Sequence, residues 1–308
     1  MSKFKYTEHV PFRELIVGVE KVLRVAGIPS VLWDTCLLST YGVPVHMEYV
    51  DFVVPDHQID AAIQALRDVG FSDGQDFPFR CKWQEKKKEE MTRSVPWPAH
   101  WFHLHSLPWT PDQEFPEDTY NRMQQGSMHR DLCLHRKSEA LWALPDLSLE
   151  DPAPDDPNYM LATDPRLPED RPGFGRGRFT VPGCRLQIPT PTRYTESLFL
   201  IVAREWEMLD RGEFWVVYLY YMSEYVYKVS MGEDFISPAT LDPSLGKIWK
   251  AYLDDNLPVK EYNRKYIVPL REDLISKGAL PETAFPWAMR HEEVRPWILR
   301  MRAAGRFG

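Results

Sequence analysis

The sequence predicts an α/β (α+β) protein: a mixed sheet with flanking helices, followed by a mainly helical C-terminal half. Three observations predict it. Helix-spaced and strand-type segments alternate from residue 12 to residue 71. Residues 151–183 hold seven prolines and four glycines and show no periodicity. From residue 195 onward apolar side chains recur at three- and four-residue spacing. The implied organisation is an α/β domain over 1–150, a Pro/Gly-rich linker or lid over 151–190, and a helical domain over 191–308 packed on the first.

Phe12, Leu15, Ile16, Val19, Val22 and Leu23 lie on one helical face, and Gly27 stops that helix. SVLWDTCLLSTY (30–41) reads as a short apolar strand, a polar break at Asp34-Thr35 and a short helix ending near Gly42. VHMEYVDFVV (45–54) is β-branched and aromatic and is closed by Pro55. Asp56 is placed to cap the next helix, whose apolar face is Ile59, Ala62, Ile63 and Leu66, with Gly70 at its end. Further strands are expected at 76–83 and 100–107, and a short element at 139–144. Helices are expected over 195–210, 214–229 and 245–253, with Thr195 as the first N-cap and a basic helix from about 290. The run WVVYLYYMSEYVY is most simply core.

Composition narrows the function. A net charge of −8 disfavours broad gripping of nucleic acid through phosphates. KWQEKKKEEMTR (82–93) remains a local basic segment, read first as a solvated face. Cys36, Cys81, Cys133 and Cys184 form no CxxC pair, so no zinc or thioredoxin-like site is signalled. MSKFKYTEHVPF has no apolar signal-peptide core, and no stretch nears the ~18 apolar residues a membrane span needs. The expected location is cytoplasmic, with no membrane partner. No GxSxG, HExxH, kinase or Walker A motif occurs, and GFGRGRF (173–179) lacks the preceding strand of a dinucleotide or phosphate loop. A flexible lid able to touch phosphate or RNA is one reading of it, beside a purely structural one.

The text VLWDTCLLSTYGVPVHMEYVDFVVPDHQIDAAIQALRDVGF (31–71) resembles the polymerase-beta-like nucleotidyltransferase fold. YGVP, then YVDFVVPD, then an amphipathic helix ending in GF carry the resemblance. In that family a Gly-Gly or Gly-Ser turn after the first strand lets backbone N–H groups approach a triphosphate. An Asp-x-Asp strand and a third carboxylate then share divalent metals. Here Asp34-Thr35 stands at the turn, and Tyr49 takes the first Asp position, leaving Asp51. Glu48 is one residue out of phase. The third position, on 101–107, falls on His103 or His105. The resemblance therefore implies the fold with a degenerate catalytic signature. PAHWFHLHSL, YMLATDPRLP and IPTPTRYTESLFLIVARE resemble fungal chains that share the module. Arginine-dependent cyclodipeptide synthesis is an activity associated with fungal chains of this general kind, though no residue match carries it over.

These readings give a candidate site. Asp34, Asp51 and Glu48, with Thr35 and Tyr49 beside them, would surround the old metal position. Carboxylates that face one another need a cation between them, and a substrate ammonium or guanidinium group would serve. His103 and His105 alternate along one strand with His100 nearby, and could act as general base and partner, or as metal ligands with Asp51. The other reading of all of these is structural: N-caps, surface carboxylates and hydrogen-bonded histidines. Arg193 and Glu196 begin a helix and are candidate substrate contacts, with Arg193 and Arg204 facing an anionic group.

The expected function is a transferase or condensing enzyme of small-molecule (secondary-metabolite) biosynthesis, acting on a cationic amino-acid-type substrate, with a tRNA-borne aminoacyl group as one donor. No cofactor is expected for it. Mg²⁺ belongs only to the alternative of metal-dependent nucleotidyl transfer. A non-catalytic binding or antitoxin-like module is the third reading.

Overall fold

The computed structural model describes residues 4–7, 10, 12–45, 47, 49–73, 98–104, 130–205, 209–231, 235–254 and 257–281. The expected strand at 76–83, the charged segment 82–93 and the basic tail lie outside them.

The first half opens with α1 (Phe12–Val25), β1 (Val31–Trp33) and α2 (Asp34–Thr40). It continues with β2 (Tyr49–Val54), α3 (Ile59–Asp68), β3 (Ser72–Asp73), β4 (His100–Leu104) and β5 (Arg130–Arg136), which leads into the short α4 (Lys137–Ala140). The α1–β1–α2–β2–α3 alternation is the one its periodicity predicts. The apolar stripe Leu15, Ile16, Val19 and Leu23 of α1 is buried, as is Ile59, Ala62, Ile63 and Leu66 of α3.

Seven strands form one mixed sheet in the order β3-β4-β5-β2-β1-β7-β6, where β6 is Tyr159–Leu161 and β7 is Gln187–Pro189. β2 runs parallel to β5 and β1 parallel to β7, and the other pairs are antiparallel. Strand alternation and register assign the two faces. Leu32, Phe52, Leu134 and Phe102 lie on one face. Phe102 there meets Phe71, just beyond α3, at a ring separation of 5.9 Å. Trp33, Asp51 and Cys133 are laterally paired on the other.

Helices of the second half cover that other face. They are α5 (Pro191–Arg204), α6 (Leu209–Tyr221) running on into a π-helix (Met222–Ser230), α7 (Pro243–Asp254), α8 (Val259–Tyr262) with a π-turn (Asn263–Ile267), and α9 (Val268–Ser276). One contiguous apolar cluster reaches from Leu15 to Leu270.

The structure corrects several local expectations. Residues 151–190, read as linker or lid, supply β6 and β7. Their three-residue strands are held by pairing, β7 to β1 and β6 to β7, which propensity in a proline-rich stretch does not reveal. β2 begins at Tyr49, because Val45 N–H folds back onto the carbonyl of Val43 at 2.8 Å. Asp56 does not cap α3: it opens a 3-10 turn and accepts from the Ser138 N–H at 3.0 Å and from its hydroxyl. The cap of α5 is Thr190, with Pro191 in the first turn, while the buried Thr195 hydroxyl donates to the Pro191 carbonyl at 2.8 Å.

GFGRGRF is docked and not a lid. Gly175 and Gly177 donate their N–H groups to the carbonyls of Gly42 (2.8 Å) and Ser39 (2.9 Å) at the end of α2. Arg13 of α1 clamps the other side, donating to the carbonyls of Arg176, Gly177 and Arg178. Arg176 and Arg178 pair with Asp170 and Glu169. Two of the backbone donors a phosphate would need are thus already committed.

A Cβ on Gly175 would lie 2.5 Å from the carbonyl oxygens of Ser39 and Val43, both rigid backbone. Gly175→Ala should therefore lower unfolding free energy by at least about 2 kcal/mol in denaturant titration. Gly183→Ala, with φ +70° but nothing within 4 Å, should cost only about 1 kcal/mol.

Candidate functional site

β1 delivers the chain to Asp34, which is 2% exposed and is the one non-glycine among the described residues with positive φ, at 60°. Glycine adopts that conformation freely, whereas an L-residue is strained there by roughly 1–2 kcal/mol. The turn thus keeps the backbone shape of a glycine turn and places a carboxylate on it. Tyr218 of α6 donates its hydroxyl to Asp34 Oδ1 at 2.5 Å, fully buried. The neighbouring Thr35 hydroxyl oxygen is buried without a hydrogen-bond partner among the described residues.

Asp51 is 0% exposed. Its place follows from the β2–β5 register, Tyr49↔Asp131, Asp51↔Cys133 and Val53↔His135. Asp131 and His135 are therefore diagonal neighbours of Asp51 on the same sheet face. The His135 Nε2 lies 2.8 Å from Asp51 Oδ1, with both side chains buried. The other ring nitrogen, Nδ1, is buried without a hydrogen-bond partner among the described residues. An ionised carboxylate only accepts hydrogen bonds, so a neutral imidazole facing an ionised Asp51 would carry its proton on Nε2 and its lone pair on Nδ1. Asp131, 1% exposed, completes the acidic side chains of this face.

The expected third position was on 101–107. The strand beside β2 is instead β5, and β4 lies one place further out. The residue in register with both Tyr49 and His103 is the carboxylate Asp131. His103 is described here through its backbone, and His105 and Glu48 lie outside the described residues. His100 is in register with Leu134 and so belongs to the opposite face, where its Nε2 meets Asp73 Oδ1 at 3.0 Å. Tyr49 is half-buried, and its carbonyl accepts from Cys36 Sγ at 3.1 Å.

Asp131, His135 and Tyr218 were not singled out from the sequence. The signal for the first two is the strict alternation in RDLCLHR, Asp131, Cys133 and His135 on one face and Leu132 and Leu134 on the other. Tyr218 carries no signal, being one ring in an aromatic run.

Arg193 and Glu196 lie elsewhere. Arg193 donates to Glu196 Oε2 (2.6 Å) and Asn158 Oδ1 (3.2 Å), and both line a cavity of about 490 Å³ whose walls include neither Asp34 nor Asp51. The structure thus splits the expected site in two. Arg204 does not face open space: it is buried, its Nε donates to Glu205 Oε1 at 2.6 Å, and its guanidinium sits 4.7 Å from the Trp142 ring centre. Among the described residues no three His, Cys, Asp or Glu side chains gather as a metal-binding group, and no helix is long and apolar enough to cross a membrane.

Comparison with protein-family models, with curated proteins and with solved structures finds no match. The resemblance to nucleotidyltransferases accordingly rests on the residues quoted above.

Two predictions follow from this geometry. Tyr218→Phe removes a buried hydrogen bond to a carboxylate and should lower stability by about 1.5–3 kcal/mol. In that background Asp34→Gly should restore about 1 kcal/mol or more by relieving the positive φ, while in the native chain it should be a net loss; a double-mutant cycle read by denaturant unfolding measures the coupling. On the other face, burial pushes the Asp73 carboxyl up, but hydrogen bonds from Arg67 and His100 outweigh it and hold it below its usual range. A depressed folded value stabilises above the unfolded one and is lost as pH falls through it. Below about pH 4 the native chain should therefore lose stability more steeply than Asp73→Asn, measured by thermal unfolding across pH.

Proposed function

We propose that the chain is a group-transfer enzyme acting on a small molecule that carries an amine or guanidinium group, with its chemistry at the carboxylate face of the sheet. One observation carries the reading: the fully buried Asp51–His135 pair, whose Nδ1 has no hydrogen-bond partner among the described residues. A carboxylate that orients an imidazole from behind is the arrangement of a general base. In this reading Asp34 and Asp131 favour the positively charged end of the substrate. His135 Nδ1 accepts a proton from the attacking amine nitrogen as its bond to the acyl carbon of an activated ester forms. The ester C–O bond breaks, and the proton passes to the leaving oxygen. A tRNA-borne aminoacyl ester is the donor implied by the cyclodipeptide resemblance.

A second reading, metal-dependent nucleotidyl transfer, is favoured by the position of Asp131. Together with Asp51 it gives two carboxylates on adjacent strands of one face, the kind of pair that holds Mg²⁺ and lets it activate an attacking oxygen.

Thermal-shift titration separates the readings. Arginine and related cationic amino acids should raise the melting temperature without metal. A ligand at a hundred times its dissociation constant contributes about 2.7 kcal/mol. Asp51→Asn should remove the response, and His135→Asn should keep binding while losing turnover. Stabilisation by a nucleoside triphosphate that needs Mg²⁺ would move the assignment to the second reading. No response to either class would leave a non-catalytic module.

A further inference from the structure

The cavity that receives Arg193 and Glu196 is a second site, and its chemistry selects a ligand. Its volume, about 490 Å³, falls within the range of small-molecule pockets and suits a ligand of dipeptide size. Leu144, Leu200, Leu245, Leu270 and Leu274 line it, drawn from α5, α7, α9 and the turn after α4. An apolar body is therefore required to fill it, since a small polar ion would leave this surface in contact with water.

The polar lining sets the other end. Five charged side chains border the cavity: Arg193, Glu196, Asp242, Asp273 and Lys277. Both cations are already matched, Arg193 by Glu196 at 2.6 Å and Lys277 by Asp273 at 2.6 Å. Glu196 is further occupied by the Asp242 N–H at its other oxygen. Asp242 remains. It accepts from the N–H and hydroxyl of Ser244, and among the described residues no basic side chain pairs with it. Hydrogen bonds from Ser244 and from the Leu245 N–H, with the nearby charge of Lys277, outweigh partial burial and hold its carboxyl below the usual range, so it is ionised at neutral pH. The lining thus carries one carboxylate in excess of its cations, with Asp242 exposed and the leucines largely buried.

We infer that this cavity binds a leucine-type apolar molecule ending in a primary ammonium group, with the ammonium on Asp242 and the body on the leucines. An anionic ligand would meet the excess negative charge of the lining, and a neutral one would leave that charge unbalanced. The site is independent of the sheet face, since its walls share no residue with Asp34, Asp51, Asp131 or His135.

Three dipeptide probes differing only in charge test it by isothermal titration at low salt: L-leucyl-L-leucinamide (cation), N-acetyl-L-leucyl-L-leucinamide (neutral) and N-acetyl-L-leucyl-L-leucine (anion). The cation should bind about three- to fivefold more tightly than the neutral probe, the size of an exposed charge pair, and the anion more weakly than either. Added salt should shrink the preference. Asp242→Asn keeps an acceptor able to cap α7, so the chain stays folded, and should abolish the preference while retaining the neutral probe's affinity. Leu274→Trp, which fills the cavity, should abolish binding of all three. Asp51→Asn should change none of these values. Equal affinity for the three probes, a preference that survives Asp242→Asn, or no binding to the native chain would overturn the assignment.

Discussion

The turn at Asp34 is the constraint on which the carboxylate face depends. A non-glycine residue held at φ 60° is strained, and nothing in the local sequence offsets that. The offset comes from Tyr218, 184 positions away, through a buried hydrogen bond to the Asp34 carboxylate. Its magnitude, about 1.5–3 kcal/mol for a bond to a charged group, is of the same order as the strain. Seating α6 on the sheet therefore helps hold the turn in its shape. Trp33, one residue before, adds a second tie by packing edge-on against Tyr194 of α5 at 5.0 Å. The helical half is in this sense the lock on the conformation of the N-terminal turn.

The same seating explains why acidic side chains survive at such depth. Asp34, Asp51 and Asp131 are each at most 2% exposed. Carboxylates so placed must be met by donors. Tyr218 and His135 are two of them, one from a helix laid over the sheet and one from the adjacent strand. The opposite face shows the contrast. There Phe52, Leu134 and Phe102 form an ordinary apolar layer that meets Phe71 just beyond α3, with the polar His100–Asp73 contact at the β3 edge.

The legible part of the fold was the part governed by local periodicity. α1, β1, α2, β2 and α3 follow from apolar spacing and from Gly and Pro punctuation, and Asp51 was marked by the resemblance of YVDFVVPD to the acid-bearing strand of nucleotidyltransferases. What stayed hidden was set by pairing across long separations. β6 and β7 have three residues each inside a proline-rich stretch, and only their partners make them strands. β5 was not legible beside the histidines of 100–107, although RDLCLHR alternates as a strand should. That left Asp131, on the strand beside β2, out of the candidate residues. Arg193 and Glu196 do stand near the start of a helix, as the sequence suggested. Their separation from Asp34 could not be read, because it depends on which side of α5 each residue presents once Tyr194 is fixed against Trp33.

The Asp51–His135 pair is a poor device for stability. Removing two ionisable groups from water costs several kcal/mol each, and an apolar pair of similar volume in the same place is often as stable or more so. The surroundings would accept one: Val53 stands beside His135 on the same face, and Cys133 stands opposite Asp51. A valine or leucine pair at these positions would also remove the need to satisfy Nδ1, which is buried without a hydrogen-bond partner among the described residues. Packing alone therefore does not account for the choice of residues. What an apolar pair cannot do is hold one imidazole nitrogen protonated toward a carboxylate and the other open toward a proton. This is the one capacity that the burial, the register and the unsatisfied nitrogen have in common.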